Sequence, residues 1–291
     1  MTVAAHPPTQ NLPEVPTASD WCRRWNHRTP SWRHRRDGGF DSRSFEVHPL
    51  DEHTAKAYVL ANHYSGSYPL ARYRLGLYRT TGEGDRLCGV AVFGVPMSPA
   101  VLTLPFPELR PDEAVECSRF VLADEVPGNA ESWFLARSFE YLQQHSVHAV
   151  VSFADPVPRQ TTTGEWVAIG HIGTIYQASN ALYAGRATPR TVKLLPDGRV
   201  FSARAAQKVR KGEQGCAYAA AQLVSLGAPA LRPGQDRAQW LREALLSVGA
   251  RNLRHRGAHR YLFPLGATRR ARDSVRIGLP TSRAYPKQPD A

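Results

Sequence analysis

Four short stretches of the chain hold side chains able to move protons, anchor anions or grip a planar base. "NHYSG" sets His63, Tyr64 and Ser65 in a row before Gly66. Imidazole titrates near neutral pH, and a phenol can donate a proton or stack. A lone His-Tyr pair is nevertheless more often structural than catalytic. "VSFADP" is an apolar run ending in Asp155, which puts a carboxylate at the carboxyl edge of a sheet. Open α/β sheets hold ligands there, although Asp-Pro serves equally well to cap a turn. "ECSRFVL" offers Arg119 as a bidentate anchor for a carboxylate or phosphate, or as the partner of Glu116 or Asp155. "HIGTIYQASNALYAG" supplies His171, Tyr176, Asn180 and Tyr183, the last three at spacings of four and three on one face of an expected helix. Two phenols and an amide on one helix side suit a pocket that stacks on and hydrogen-bonds to a base. Tyr183 taken alone reads as ordinary packing.

The elements that must carry these groups follow an α/β pattern from about residue 44. "SFEVHPL" alternates as a strand, and Asp51 caps the amphipathic run "DEHTAKAYVLANHY". "YRLGLYRT" and "RLCGVAVFG" flank a turn and read as a hairpin. A proline-rich excursion precedes the strand "AVECSRFVLAD" and the helix "PGNAESWFLARSFEYLQQH". The buried strand "HAVVSFADP", a short helix, a hairpin at Asp197-Gly198, two more helices and the strand "HRYLFPL" complete the order. That order resembles the N-acetyltransferase (GNAT) superfamily. The expected fold class is therefore α/β, GNAT-like: a mixed, mostly antiparallel central sheet with a splayed parallel pair, flanked by helices. The GNAT pyrophosphate loop is degenerate here, with "LADEVPGNAESW" carrying only Gly128 and extra acids at Asp124 and Glu125.

With 291 residues, 42% of them hydrophobic, the chain can bury one large core or two small ones. A formal net charge of +12 favours anionic partners, nucleic acid first. The apolar runs are too short to span a bilayer, and the N-terminus lacks the features of a signal peptide. Membrane is thus not an expected partner, and the cytoplasm is the expected location. Cys22, Cys88, Cys117 and Cys216 form no CxxC pair and read as free thiols, Cys88 and Cys117 within the core.

Basic residues fall in three blocks. "WCRRWNHRTPSWRHRR" carries six arginines, three tryptophans and no acid, including Arg33, Arg35 and Arg36. Guanidinium on phosphate and indole on bases suit nucleic acid, against the alternative of a solvated arm folded back on the domain. The second block includes Lys208, Arg210 and Lys211, and the third Arg254, Arg256 and Arg260; each has eight basic residues against one acid. Residues 1–40 are expected to be a disordered segment with a basic aromatic arm. Residues 41–268 form the GNAT-like catalytic domain, with a helical insertion at about 206–250, and 269–291 a basic tail.

Taken together, "NHYSG", "ECSRFVL", "VSFADP", "GTIYQASNALYAG" and "HRYLFPLG" resemble the Mom family of bacteriophage DNA-modification proteins, over roughly residues 45–265. The resemblance implies an enzyme of the bacterial host cell, phage- or prophage-encoded, that converts adenine in double-stranded DNA to N6-(carbamoylmethyl)adenine. That modification shields phage DNA from restriction enzymes. It also implies functional roles for His63, Tyr64, Arg119, Asp155 and Tyr176: catalysis is expected of His63, Tyr64, Asp155 and Tyr176 and substrate binding of Arg119, and Ser65, Asn180 and His171 beside them are further expected substrate-binding residues. Iron(II) held by His63, Tyr64 and Asp155, with His171 as a further ligand, is an implied cofactor. The donor is left open between an activated glycine-like group and an acyl group, acetyl-CoA included. The target adenine would be flipped from the duplex, as base chemistry in a duplex generally requires. Two other readings compete: a GNAT acyltransferase using acyl-CoA on a small amine or protein, and a DNA-binding protein without catalysis. One departure stands out, a long loop "VPRQTTTGEWVAIG" between Asp155 and His171.

Overall fold

A computed structural model of the chain describes residues 21–34, 39–82 and 84–287. Strands β1 (Trp21–Asn26) and β2 (Thr29–His34) form a hairpin. β3 (Phe45–Pro49) leads into α1 (Glu52–Asn62), where Asp51 accepts from the Thr54 N–H at 2.9 Å and satisfies a donor the helix geometry leaves unpaired. β4 (Ala71–Thr81) and β5 (Gly84–Gly94) are a long hairpin. After α2 (Ala100–Thr103) come β6 (Ala114–Leu122), α3 (Ala130–Gln144) and β7 (Ala149–Ala154). The small hairpin of β8 (Arg159–Gln160) and β9 (Trp166–Ala168) precedes α4 (Thr174–Ala178) and β10 (Leu182–Arg186). A lobe follows: β11 (Arg190–Leu194), β12 (Val200–Phe201), α5 (Ala203–Lys211), α6 (Cys216–Val224), α7 (Arg237–Ser247) and β13 (Arg251–His255). β14 (His259–Pro264) returns to the main sheet, and α8 (Arg269–Asp273) follows it.

The main sheet has seven strands in the order β10-β14-β7-β6-β5-β4-β3. Every neighbouring pair is antiparallel except β6 and β7. That parallel pair is in register only from Ala114 opposite Ala149 to Cys117 opposite Ser152. Beyond it β6 continues along β5 alone, so the sheet opens after Cys117 and Ser152. Helix α3 covers one face, burying Phe134, Leu135 and Leu142 against Leu75, Phe93 and Val150. Helix α1 covers the other, with Ala55 and Val59 against Val90, Val92 and Val121. Each fully buried side chain of this size contributes about 1.5–3 kcal/mol relative to exposure.

Three expectations need correction. The arginine-tryptophan segment forms the β1–β2 hairpin across residues 21–34 and docks on the domain. The first twenty residues, Arg35 and Arg36 lie outside the described residues. The insertion is wider than residues 206–250, because β11, β12 and β13 join it. Its core gathers Leu195, Phe201, Val209, Leu223, Trp240 and Ala244. The tail is part of the domain. Val275, Ile277 and Leu279 pack beside Leu102 and Phe106, and the Tyr285 hydroxyl donates to Ala181 O at 2.7 Å. Among the described residues no helix is long and apolar enough to cross a membrane.

Candidate active site

Helix α1 ends at His63, whose N–H bonds Val59 O at 2.9 Å as the chain turns outward. The His63 ring is buried. The Ser65 N–H donates to its Nδ1 at 3.2 Å, and Ser65 Oγ lies 2.9 Å from the same nitrogen. Donation from a backbone amide makes Nδ1 an acceptor, so the neutral ring carries its proton on Nε2. Tyr64 stacks on this ring at 4.4 Å and 29° and meets His171 edge-on at 6.3 Å. Burial pushes the His63 pKa well below the usual histidine value, and the neighbouring Arg119, His171 and Arg28 add to the effect. His63 is thus held neutral.

Arg119 reaches the same loop because of a bulge. The register between β5 and β6 shifts where Phe93 pairs with Cys117 and Val92 with Arg119, leaving Ser118 as an additional residue. Such an insertion reverses the side-chain alternation of the strand beyond it. Cys117 accordingly packs in the α3 layer, while Val121, in phase with Arg119, packs in the α1 layer. From there the Arg119 Nε donates to Ser67 O at 3.0 Å and Nη2 to Ser67 Oγ at 2.8 Å. Nη1 donates to Ser118 O at 2.5 Å. Burial lowers the Arg119 pKa and, close by, raises that of the Glu116 carboxyl.

Asp155 stands at the end of β7, on the other side of the opening. Its Oδ1 accepts from His255 Nε2 at 3.0 Å and from the Val157 N–H at 3.0 Å, and its Oδ2 accepts from Arg159 Nη1 at 2.7 Å. Burial opposes the charge, but these donors outweigh it and hold the carboxyl well below the usual range. A carboxylate offers about four acceptor positions, so three donors leave about one. The Gly257 N–H donates to His255 Nδ1 at 3.0 Å, which leaves the His255 Nε2 proton for Asp155.

The long loop after Asp155 is spent on the β8–β9 hairpin. It returns so that the His171 N–H donates to Asp155 O at 2.8 Å. Gly170 makes the return possible: its φ is +68°, and a Cβ there would lie 2.5 Å from Pro156 O. Tyr64, Asp155, Arg159, Gly170 and His171 then line one recess. Its free volume of about 10 Å³ is room for roughly one water.

The other expected residues do not line that recess. Tyr176 is buried in the α3 layer against Tyr261 and Phe263, its phenol near the Cys117 thiol where the parallel pair parts. Burial raises that phenol well above the usual tyrosine range, so it stays protonated. Asn180, Tyr176 and Tyr183 do not share a helix face. Helix α4 ends at Ala178, Asn180 takes a left-handed φ of 61° in an exposed turn, and Tyr183 lies on β10 bonded to His259 Nδ1 at 2.9 Å. Asparagine tolerates that conformation better than most residues, which is why the helix stops there.

The basic residues are spread out. Lys208, Arg210 and Lys211 sit on α5, the last two exposed, and Arg254 and Arg256 are exposed on or beside β13. Arg260 is half-buried with its guanidinium 5.9 Å from the Phe153 ring centre. Arg33 is paired with Asp124 at 3.2 Å. Metal ligation fits poorly. Among the described residues no three His, Cys, Asp or Glu side chains gather to hold an ion, and the Asp155 carboxylate already serves Arg159 and His255. Sequence reasoning missed Arg159 and His255. Arg159 stood only four residues from Asp155, whereas His255 lay inside a block read solely for its charge.

A seven-stranded mixed sheet with one splayed parallel pair, helices on both faces and a recess where the pair opens is a GNAT-like α/β fold. Within that class the chain belongs to the Mom protein family, whose model matches residues 44–287. The match takes in the tail and leaves the β1–β2 hairpin outside. No curated protein matches the chain. Among solved structures, a tandem GNAT protein from the clavulanic acid biosynthesis pathway, described without AcCoA, is similar at 11% identity. It covers 77% of this chain and 75% of its own with a TM-score of 0.32, too loose to add to an assignment resting on strand order.

Proposed function

We propose that this protein transfers a carbamoylmethyl group to N6 of adenine in double-stranded DNA, protecting phage DNA from host restriction. The observation that carries the reading is the convergence of Tyr64, Asp155 and His171 on one recess beyond the end of β7, with Arg119 of β6 bonded to the adjoining loop. Membership of the Mom family supports the substrate, and the net charge of +12 supports a polyanionic partner.

The N6 amine is a weak nucleophile because its lone pair is delocalised into the ring. The new bond joins N6 to a CH2 carbon, so acyl transfer from a thioester cannot form it directly. The balanced step takes a donor X–CH2–CONH2: N6 bonds the methylene, X departs with the bonding pair, and one N6 proton leaves. The remaining acceptor position of Asp155 holds an N6 hydrogen, and the His171 imidazole, on the same recess, receives the departing proton. We assign that role to His171 and not to His63, whose Nδ1 is engaged by Ser65 and whose burial disfavours the protonated ring. It backs Tyr64, whose ring stacks on the extruded base. Because the recess holds about one water, Tyr64 and the 169–171 loop must part to admit adenine.

A conventional acyl-CoA transferase would seat the pyrophosphate at the start of α3. Here Arg24 occupies that end, donating to Val126 O and Pro127 O and pairing with Glu131. Mass spectrometry of nucleosides from plasmid DNA co-expressed with the protein tests the proposal. Deoxyadenosine bearing one carbamoylmethyl group is expected, and its absence while the folded protein is present would overturn the reading.

A further inference from the structure

The β1–β2 hairpin lies outside the family match, yet it is firmly seated. Arg24 on β1 is fully buried, with Nε donating to Val126 O at 2.9 Å and its guanidinium paired with Glu131. On β2, Ser31 Oγ and Arg33 both bond Asp124, and Arg33 Nε reaches Asp124 O at 2.6 Å. Two ion-paired anchors on one short hairpin fix where its turn, His27-Arg28, must point.

That turn points at the site. The Arg28 guanidinium lies over Gly66, where a Cβ would come within 2.6 Å of Nη2 and 3.0 Å of Cζ. Gly66 has a φ of +55° and directly follows the His63–Ser65 unit. Glycine is therefore needed twice at this position, for its conformation and for the space Arg28 takes. Arg28 itself is exposed and adopts a positive φ of 70°, and its field reaches His63. Arg119 holds the next residue of the same loop, Ser67, with three of the five donors a guanidinium carries committed to backbone and hydroxyl oxygens. Among the described residues no carboxylate forms an ion pair with Arg28 or Arg119. Two guanidiniums outside any described ion pair thus flank the 65–67 loop beside the recess, with the buried Glu116 carboxyl near Arg119.

We propose that Arg28, delivered by the β1–β2 hairpin, joins Arg119 in a two-arginine clamp for a backbone phosphodiester beside the extruded adenosine. This rests on DNA being the substrate. Guanidinium forks match phosphate oxygens in geometry and charge, and a clamp next to the recess would hold the strand while the base turns in.

Fluorescence anisotropy of a labelled duplex across a salt titration tests the clamp, using wild type, Arg28→Ala and Arg28→Lys. Losing one phosphate contact should lower the salt slope by about one. It should also weaken binding about tenfold at fixed salt. Arg28→Lys should keep the slope, and Gly66→Ala, which displaces the Arg28 guanidinium, should lose it. Because Arg28 is exposed, Arg28→Ala should melt as wild type does. A steep wild-type slope that Arg28→Ala leaves unmoved would overturn the clamp alone, whereas a flat wild-type slope would overturn the DNA reading and the clamp together.

Discussion

Asp155→Asn separates what holds the site together from what performs the reaction. The substitution keeps the shape and leaves Oδ1 to accept from His255 and Val157. The new amide nitrogen would instead face Arg159 Nη1, donor against donor, where the carboxylate now accepts at 2.7 Å. The Arg159 side chain is 12% exposed and that of Asp155 24%, so the stranded guanidinium is poorly solvated. Breaking such a pair costs about 3–5 kcal/mol when fully buried, and the residual exposure puts this one near 3. For a chain of this length that corresponds to a fall in Tm of about 5 °C by scanning calorimetry. Adding Arg159→Gln should recover most of the loss, giving a coupling energy of about 1–3 kcal/mol in the double-mutant cycle.

The pH dependence has a definite sign. The folded Asp155 carboxyl titrates lower than the unfolded one, so its contribution is complete above about pH 4 and is lost as pH falls through the folded value. The acid limb of the wild-type stability curve should therefore be steeper than that of Asp155→Asn. Adenine modification should vanish in the single variant and stay absent in the stabilised double variant. An unchanged Tm with zero coupling would refute the structural role. Full modification by the double variant would refute the chemical one.

Other outcomes are equally definite. In NMR titrations the His63 ring should stay neutral well below the usual histidine range. Its burial should make stability decline as pH falls below about 6.5, the sign expected of a histidine whose folded pKa is depressed. Arg119→Lys cannot reproduce the contacts to both Ser67 oxygens, so modification in co-expressed DNA should drop about tenfold while Arg119→Ala abolishes it. Burial pushes the Cys88 and Cys117 thiols up to about 12, so neither should react with a disulfide reagent at pH 8 until the protein is unfolded. Tyr176→Phe removes a phenol hydroxyl buried near the Cys117 thiol and should cost about 1 kcal/mol by urea denaturation.

Local signals in the chain determined a good part of this molecule. The strand-helix order announced the mixed sheet, Asp51 the start of α1, and the apolar run before Asp155 a carboxylate at a strand end. These depend on periodicity, caps and turns, which act over a few residues. The tertiary structure alone decided what those groups face. A bulge at Ser118 turned Arg119 towards the 65–67 loop, and the Gly170 turn brought His171 back to Asp155. His255, a hundred residues from Asp155, became its hydrogen-bond donor. Asn180 left its expected helix face because a left-handed turn intervened, and the basic arm became a docked hairpin because Glu131 and Asp124 received its arginines. Charge composition records how many cations a chain has, but whether each meets a carboxylate or stays open to a partner is settled by which distant segments fold beside it.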